Sequence, residues 1–194
     1  MLYNFPSQFI YWEELPEHTD LRDELLEFIN NDNAWNGDMY RERASQYWGS
    51  TLTTSYFRTQ PLEFVTQEMY DQIVWCPFQR MYEEMETLPR AEQNYLAEFW
   101  YNQYNIGEHQ EVHNHIKGNN ATISGIYILE SEAPSPLTFF NPNHPIAYQS
   151  GTTHSFDTKD LMEGTVILFP SCLLHYVKPA QSKRTTISFN IQTI

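Results

Sequence analysis

The chain has 194 residues, 41% of them hydrophobic and 15% aromatic, which excludes a disordered, collagen-like or coiled-coil protein and is enough for one packed domain. Acidic side chains outnumber basic ones 25 to 11 for a formal net charge of −14, so duplex nucleic acid is not an expected partner. No apolar run has the length of a membrane span, Met1 to Phe9 lacks the basic flank and apolar stretch of a secretory signal, and two cysteines, Cys76 and Cys172, are too few for a disulfide scaffold.

The expected setting is therefore cytoplasmic, with reduced thiols. Residues 1–89 carry 5 basic and 16 acidic side chains, whereas residues 90–194 carry 6 and 9. All four lysines (Lys117, Lys159, Lys178, Lys183) lie in the second half, so a site for a small anion is expected there.

In chain order, Thr19 precedes a stretch from Asp20 to Asn30 with Leu21, Leu25, Phe28 and Ile29 at helical spacing, which predicts a helix. Asn31 to Ser50 shows no clean period and reads as an irregular loop. A second helix is expected from about Glu63 to Glu86, broken or kinked at Pro77. From Ala97 the pattern changes to short alternating runs bounded by Gly, Pro and Asn. These are Glu98–Asn105, Glu111–Ile116, Ala121–Glu130, Leu137–Phe140, Ile146–Gln149, Thr165–Phe169, Leu173–Lys178 and Arg184–Thr193. Such spacing predicts an antiparallel sandwich or barrel. The plan is a single domain, 1–194, in which a helix-rich support (1–96) packs outside a jelly roll (97–194).

Seven histidines occur, at 18, 109, 113, 115, 144, 154 and 175. His113 and His115, two apart in an expected strand, leave the same face. Neutral imidazole suits zinc, copper, iron and nickel, and a third ligand from a distant strand completes a facial set with open positions. His175, in a new strand after the Pro170 turn, is the best third member. A lone strand histidine has a plain structural use as a hydrogen-bonded side chain, and the i, i+2 pairing weighs against that use here. His18 and His144 read as loop residues, while His109 and His154 stay open as pocket residues.

In the last strand, strict alternation puts Arg184, Thr186, Ser188 and Asn190 on one face and Thr185, Ile187 and Phe189 on the other. The apolar face packs on a sheet or helix. The polar face wants a ligand or water: a guanidinium forks onto a carboxylate, and a hydroxyl two residues along adds a third bond. The competing reading is an exposed edge strand with a solvated arginine.

Tyr104-Asn-Ile-Gly107, His113-Asn-His115, His175 and Arg184-Thr-Thr186 together resemble the 2-oxoglutarate/Fe(II)-dependent oxygenases. More narrowly, Trp100-Tyr-Asn102, Ser124-Gly-Ile-Tyr127, Phe169-Pro-Ser171 and Ile187-Ser-Phe-Asn190 are similar to the prolyl-hydroxylase-like "putative 2OG-Fe(II) oxygenase" family. The likeness covers about residues 97–194. It implies a double-stranded β-helix with Fe(II) on His113, His115 and His175. It also implies that the distal carboxylate of 2-oxoglutarate lies on Arg184 and Thr186, with Tyr104, Asn102 and Ser188 toward the same cosubstrate. The implied reaction uses dioxygen to couple oxidative decarboxylation of 2-oxoglutarate to hydroxylation of a prolyl, other peptidyl or small-metabolite substrate. The departure is His115, where the wider superfamily has Asp or Glu. Three-histidine iron sites belong to cupin-type dioxygenases that use no 2-oxoglutarate, which makes that class the alternative enzyme. A non-catalytic jelly roll with a structural zinc is the non-enzyme alternative. Strand phase adds Trp100, Asn102, Ser124, Ile126, Ile128 and Ser188 as candidate pocket walls, while Asn33 to Ser50 and Pro142 to Asp160 are candidate covers of the mouth.

Overall fold

The computed structural model describes residues 8–58, 62, 64–85, 92–116, 121–133, 137–140, 155–158 and 160–194. In chain order the strands are β1 (Tyr11–Glu14), β2 (Thr53–Thr54), β3 (Asn94–Tyr104), β4 (Gln110–His113), β5 (Ile123–Ser131), β6 (Leu137–Phe140), β7 (Ser155–Asp157), β8 (Thr165–Pro170), β9 (His175–Val177) and β10 (Arg184–Thr193). Helix α1 spans His18–Trp48, α2 Gln67–Tyr70 and α3 Cys76–Glu84. Pairing is antiparallel throughout, in a six-stranded sheet of order β1-β8-β5-β10-β3-β2 and a four-stranded sheet of order β4-β9-β6-β7. Two facing antiparallel sheets with consecutive strands crossing between them make a double-stranded β-helix, as expected.

The two-residue period of the large sheet divides its side chains between two cores. Tyr101, Tyr127, Leu129, Val166, Leu168, Ile187 and Phe189 point outward and bury against Leu21, Leu25 and Ile29 of α1 and Met69, Ile73, Phe78 and Met81 of the second helical stretch. Tyr104, Ile126, Ile128, Ile167 and Phe169 point inward and meet Leu137, Phe139, Leu173 and Val177 between the sheets. The predicted alternation of the last strand therefore holds. The edge-strand reading does not, because β10 is paired on both sides, to β3 and to β5.

Three expectations in the first half are corrected. Asn31 to Ser50 is helical, since α1 runs unbroken from His18 to Trp48 and ends at Gly49, whose φ of 68° lets its N–H reach the Ser45 carbonyl. The period is hidden there because the inward face is polar. Asp32 accepts from Arg58 Nη1 (2.8 Å), Tyr101 Oη (2.5 Å), Tyr40 Oη (3.2 Å) and Asn36 Nδ2 (3.0 Å), and Arg41 pairs with Glu108 and Thr53. Residues of the first half also supply strands, as β1 pairs with β8 and β2 with β3.

At Pro77 the second helix neither stops nor bends freely. The Cys76 N–H bonds the Asp71 carbonyl five residues back, making a π turn over Asp71–Trp75 that absorbs the missing proline donor before α3 begins. The expected strand Ile146–Gln149 lies outside the described residues, and β7 was not expected.

Gly125 of β5 faces Phe189 of β10 directly in register, and a Cβ there would sit 2.1 Å from the Phe189 ring. Phe189 is fully buried, so the ring has little room to retreat. Gly125→Ala is expected to lower unfolding stability by about 1–3 kcal/mol through overpacking, checked by urea denaturation. Ala180→Gly, an exchange away from this contact, provides the comparison.

Candidate active site

The site forms where β4 and β9 meet at one mouth of the β-helix. His113 and His175 are direct cross-strand partners, and opposed residues of an antiparallel pair carry their side chains on one face within about 5 Å. His115 lies just past β4, where its N–H donates to the Ser171 carbonyl at 2.8 Å and turns the ring back toward the other two. One ring nitrogen from each of the three histidines lies within 4.8 Å of the others. The sequence pairing of His113 with His115 is therefore correct in outcome, although only His113 is in the strand.

Each ring is held by its Nδ1. His113 Nδ1 donates to the Glu111 carbonyl (2.8 Å) and His175 Nδ1 to the Leu173 carbonyl (3.0 Å). His115 Nδ1 lies 2.9 Å from Asn190 Oδ1 and 3.0 Å from Ser124 Oγ. The orientation of Asn190 follows from its other end, where Nδ2 donates to the Glu98 carboxylate at 2.5 Å. Its oxygen therefore faces His115 and requires a proton on Nδ1. All three Nε2 atoms are left as lone-pair donors facing one point, the arrangement a transition metal needs. Phe139 and Phe169 flank the buried His175 ring, with centroids 5.5 and 4.9 Å away.

Burial, reinforced by mutual repulsion, holds the imidazoles neutral. His115 is pushed down to about 3, His175 falls well below its ordinary value, and His113 falls as well. Neutral imidazole is the metal-binding form.

From this triad the inward faces of β3 and β10 form a polar ladder: Ser188 opposite Trp100, Thr186 opposite Asn102, and Arg184 opposite Tyr104. All are buried, and Arg184 is 1% exposed. Asn102 Nδ2 donates to Ser188 Oγ (3.1 Å), the Tyr104 hydroxyl donates to Gln110 Oε1 (2.9 Å), and the guanidinium carbon lies 5.4 Å from the Tyr104 ring centre. Among the described residues, Arg184 Nε and Nη1 have no hydrogen-bond partner. Burial lowers the Arg184 pKa only to about 10, so the group is a cation at neutral pH. A buried cation without a counter-ion is costly, and two orphaned donors on one fork match a carboxylate.

All eight predicted site residues, His113, His115, His175, Arg184, Thr186, Tyr104, Asn102 and Ser188, line this one cleft, together with Gln110, Ile126 and Val177. Of the other predicted walls, Ser124 bonds His115, Asn190 and Ser171 (2.8 Å), and Ile128 belongs to the inner core. His18 is structural, its Nδ1 2.7 Å from the Tyr127 hydroxyl and its Nε2 3.2 Å from Glu163. His109 bonds Thr51 away from the triad. His144 and His154 lie outside the described residues, as does most of the Pro142 to Asp160 segment.

Of the outer wall, sequence reasoning reached Trp100 and, through the candidate cover Asn33 to Ser50, Trp48, and missed Tyr56, Glu98 and Glu111. A second cavity of about 240 Å³ opens beside His113 and His115. Its wall is a row of rings, Trp48, Tyr56, Trp100 and His115, with successive centroids 5.1, 5.2 and 5.6 Å apart. Glu98 and Glu111 also line it. Glu98 could have been found by strand phase with Trp100, and Glu111 by its place two residues before His113, whereas nothing in the sequence marks Tyr56.

Residues 98–190, which span β3 through most of β10, match the family described as "Putative 2OG-Fe(II) oxygenase". Over this stretch, just under half of its length, the chain is similar to the 2OG-Fe(II) oxygenases. That family implies Fe(II) and 2-oxoglutarate, and a three-histidine cluster and an unpaired guanidinium fork are chemically compatible with those two groups. The fold is also similar to solved structures. A Pseudomonas putida prolyl-4-hydroxylase matches at 13% identity and TM-score 0.60 over 97% of this chain and 94% of the other. A Trichoplax adhaerens prolyl hydroxylase, in complex with a hypoxia inducible factor oxygen degradation domain peptide fragment, matches at 13% and 0.57 over 95% and 83%. The α-ketoglutarate dependent epimerase SnoN from nogalamycin biosynthesis matches at 11% and 0.55 over 94% and 77%. No curated protein matches the sequence. Among the described residues, no helix is long and apolar enough to cross a membrane.

The depressed imidazole values set a pH dependence. Unfolded histidine titrates near 6.5 and folded His115 near 3, so between these values the unfolded chain binds more protons and stability falls as pH falls. Metal-free protein is expected to lose stability on going from pH 7 to pH 5, each histidine contributing at most about 1.4 kcal/mol per pH unit. His115→Gln is expected to flatten that slope in chemical denaturation measured across the range.

Proposed function

We propose that His113, His115 and His175 hold Fe(II), that Arg184 receives the distal carboxylate of 2-oxoglutarate, and that the enzyme hydroxylates a peptidyl side chain, prolyl or other. The observation that carries this reading is the Arg184 fork, buried and unpaired on the ladder that leads to the triad. Fe(II) with 2-oxoglutarate supplies the oxidising chemistry: dioxygen gives one oxygen atom to succinate as carbon dioxide leaves, and the other to a substrate C–H bond.

The rest is done by the chain. Arg184 fixes one end of the cosubstrate by a two-point ion pair, Thr186 adds a hydroxyl two residues along the same face, and the Tyr104 ring lies against the guanidinium. Asn102 and Ser188 line the length between, and the Asn102 Oδ1 is itself without a partner. The Phe139 and Phe169 rings screen the inner side of the triad from water. The cleft encloses about 10 Å³, so a five-carbon dicarboxylate enters only as Trp100, Gln110 and their neighbours move apart. The peptidyl reading draws on the likeness to prolyl hydroxylases and on the open cavity beside the triad, which is wide enough for a side chain.

His115 in place of a carboxylate favours a second reading, the three-histidine dioxygenase that uses no 2-oxoglutarate. Arg184 speaks against it, because that chemistry has no use for a buried cation at this position. Succinate formation from 2-oxoglutarate under air, with anaerobically loaded Fe(II), separates the two. Wild type is expected to turn over, and His115→Ala to lose turnover. Arg184→Ala is expected to weaken 2-oxoglutarate binding about 100-fold while sparing metal binding. Tight metal binding without 2-oxoglutarate binding transfers the assignment to the three-histidine class or to a structural metal site.

A further inference from the structure

The 240 Å³ cavity beside the triad has a chemical character that prolyl hydroxylation does not explain. Its wall combines three aromatic rings, Trp48, Tyr56 and Trp100, with two carboxylates, Glu98 and Glu111, and among the described residues it contains no lysine or arginine. Glu111 Oε2 is buried without a hydrogen-bond partner. The Glu98 carboxylate accepts from Asn190 and from the Tyr56 hydroxyl, whose proton it helps burial to retain. Neither bond neutralises its charge. Trp100, 6% exposed, has an unpartnered Nε1 donor.

Three neutral imidazoles add nothing to a divalent metal, so the metal, the Arg184 cation and the doubly charged 2-oxoglutarate would sum to +1. The two glutamates then leave the loaded site with a net charge of −1, and both negative charges line this cavity. An anionic pocket walled by aromatic faces is complementary to an organic cation, which gains both ion pairing and cation–π attraction.

We propose that the substrate side chain is cationic, an alkylammonium or guanidinium group that enters this cavity between the Trp48, Tyr56 and Trp100 rings and is paired by Glu111 and Glu98. A backbone or carboxylate oxygen of the same substrate accepts from Trp100 Nε1. The carbon to be oxidised then lies between the charged end and the triad. This assignment rests on the oxygenase reading of the site and names its substrate class. A proline side chain, neutral and without a donor, leaves both carboxylates unpaired.

The test uses full-length protein loaded anaerobically with Fe(II) and 2-oxoglutarate. Gly-Gly-X-Gly-Gly peptides, with X as Lys, Arg, acetyl-lysine, norleucine or Pro, are titrated against tryptophan fluorescence and then assayed for succinate under air. The Lys or Arg peptide is expected to bind about 10-fold or more tighter than the neutral ones and to stimulate succinate formation, the better of the two naming the head group. Glu111→Gln is expected to reduce that preference to below about threefold. Glu111→Lys is expected to turn it toward a Glu peptide, a change of sign that mere misfolding does not produce. Equal binding of all five peptides, or a preference untouched by both variants, overturns the inference. Calorimetric titration of 2-oxoglutarate keeps the two levels apart: 2-oxoglutarate binding without cation preference defeats the substrate assignment alone, whereas absence of 2-oxoglutarate binding defeats the oxygenase reading of the site and the assignment with it.

Discussion

A ten-residue strand paired on both edges and buried on both faces has no surface to spare, and β10 is such a strand. Its odd-numbered residues, Ile187 and Phe189, anchor the helices, and its even-numbered ones, Arg184 to Asn190, form the floor of the site. A slip of one residue would exchange the two sets, putting a guanidinium against the helices and phenylalanine in the cleft. The close fit of Gly125 to Phe189 and the register irregularities at Thr185/Thr186 and Asn190/Ile191 pin that alignment. The support helices and the chemistry are thus opposite faces of one register.

With the triad as the proposed metal site, the chain commits no charged ligand to it. Where a carboxylate ligand would stand, His115 is tied through Asn190 to Glu98, so the negative charge lies one amide farther out. That displacement keeps the imidazole tautomer fixed. It also leaves the Glu98 carboxylate to line the neighbouring cavity together with Glu111.

Much of this was legible in the sequence because the β-helix obeys a two-residue period. The inward face of the last strand and most strand positions follow from alternation, whereas His115 joins the triad through the turn after β4, and the family likeness adds motifs such as Phe169-Pro-Ser171 that alternation does not mark. What escaped was built on other physics. The second half of α1 turns Asp32, Asn33 and Arg41 toward the sheet and satisfies them with Tyr101, Arg58, Gln103 and Glu108, so hydrophobic periodicity is silent there. β1 and β2 are too short to carry a pattern. Tyr56 becomes a cavity wall only because α1 runs its full length before the chain turns back at Gly49, a long-range placement that no local window records.

β4 is four residues long and lies at the open edge of the small sheet, joined to β9 by an irregular register. Side chains rather than a further strand satisfy its outer backbone, as the Glu111 N–H donates to Ser50 Oγ and the Glu111 carbonyl accepts from His113 Nδ1. The residue that ends β4 is His113, and its ring faces His175 on β9 and His115 beyond the strand. A metal bridging those rings would clasp the edge to the body of the sheet.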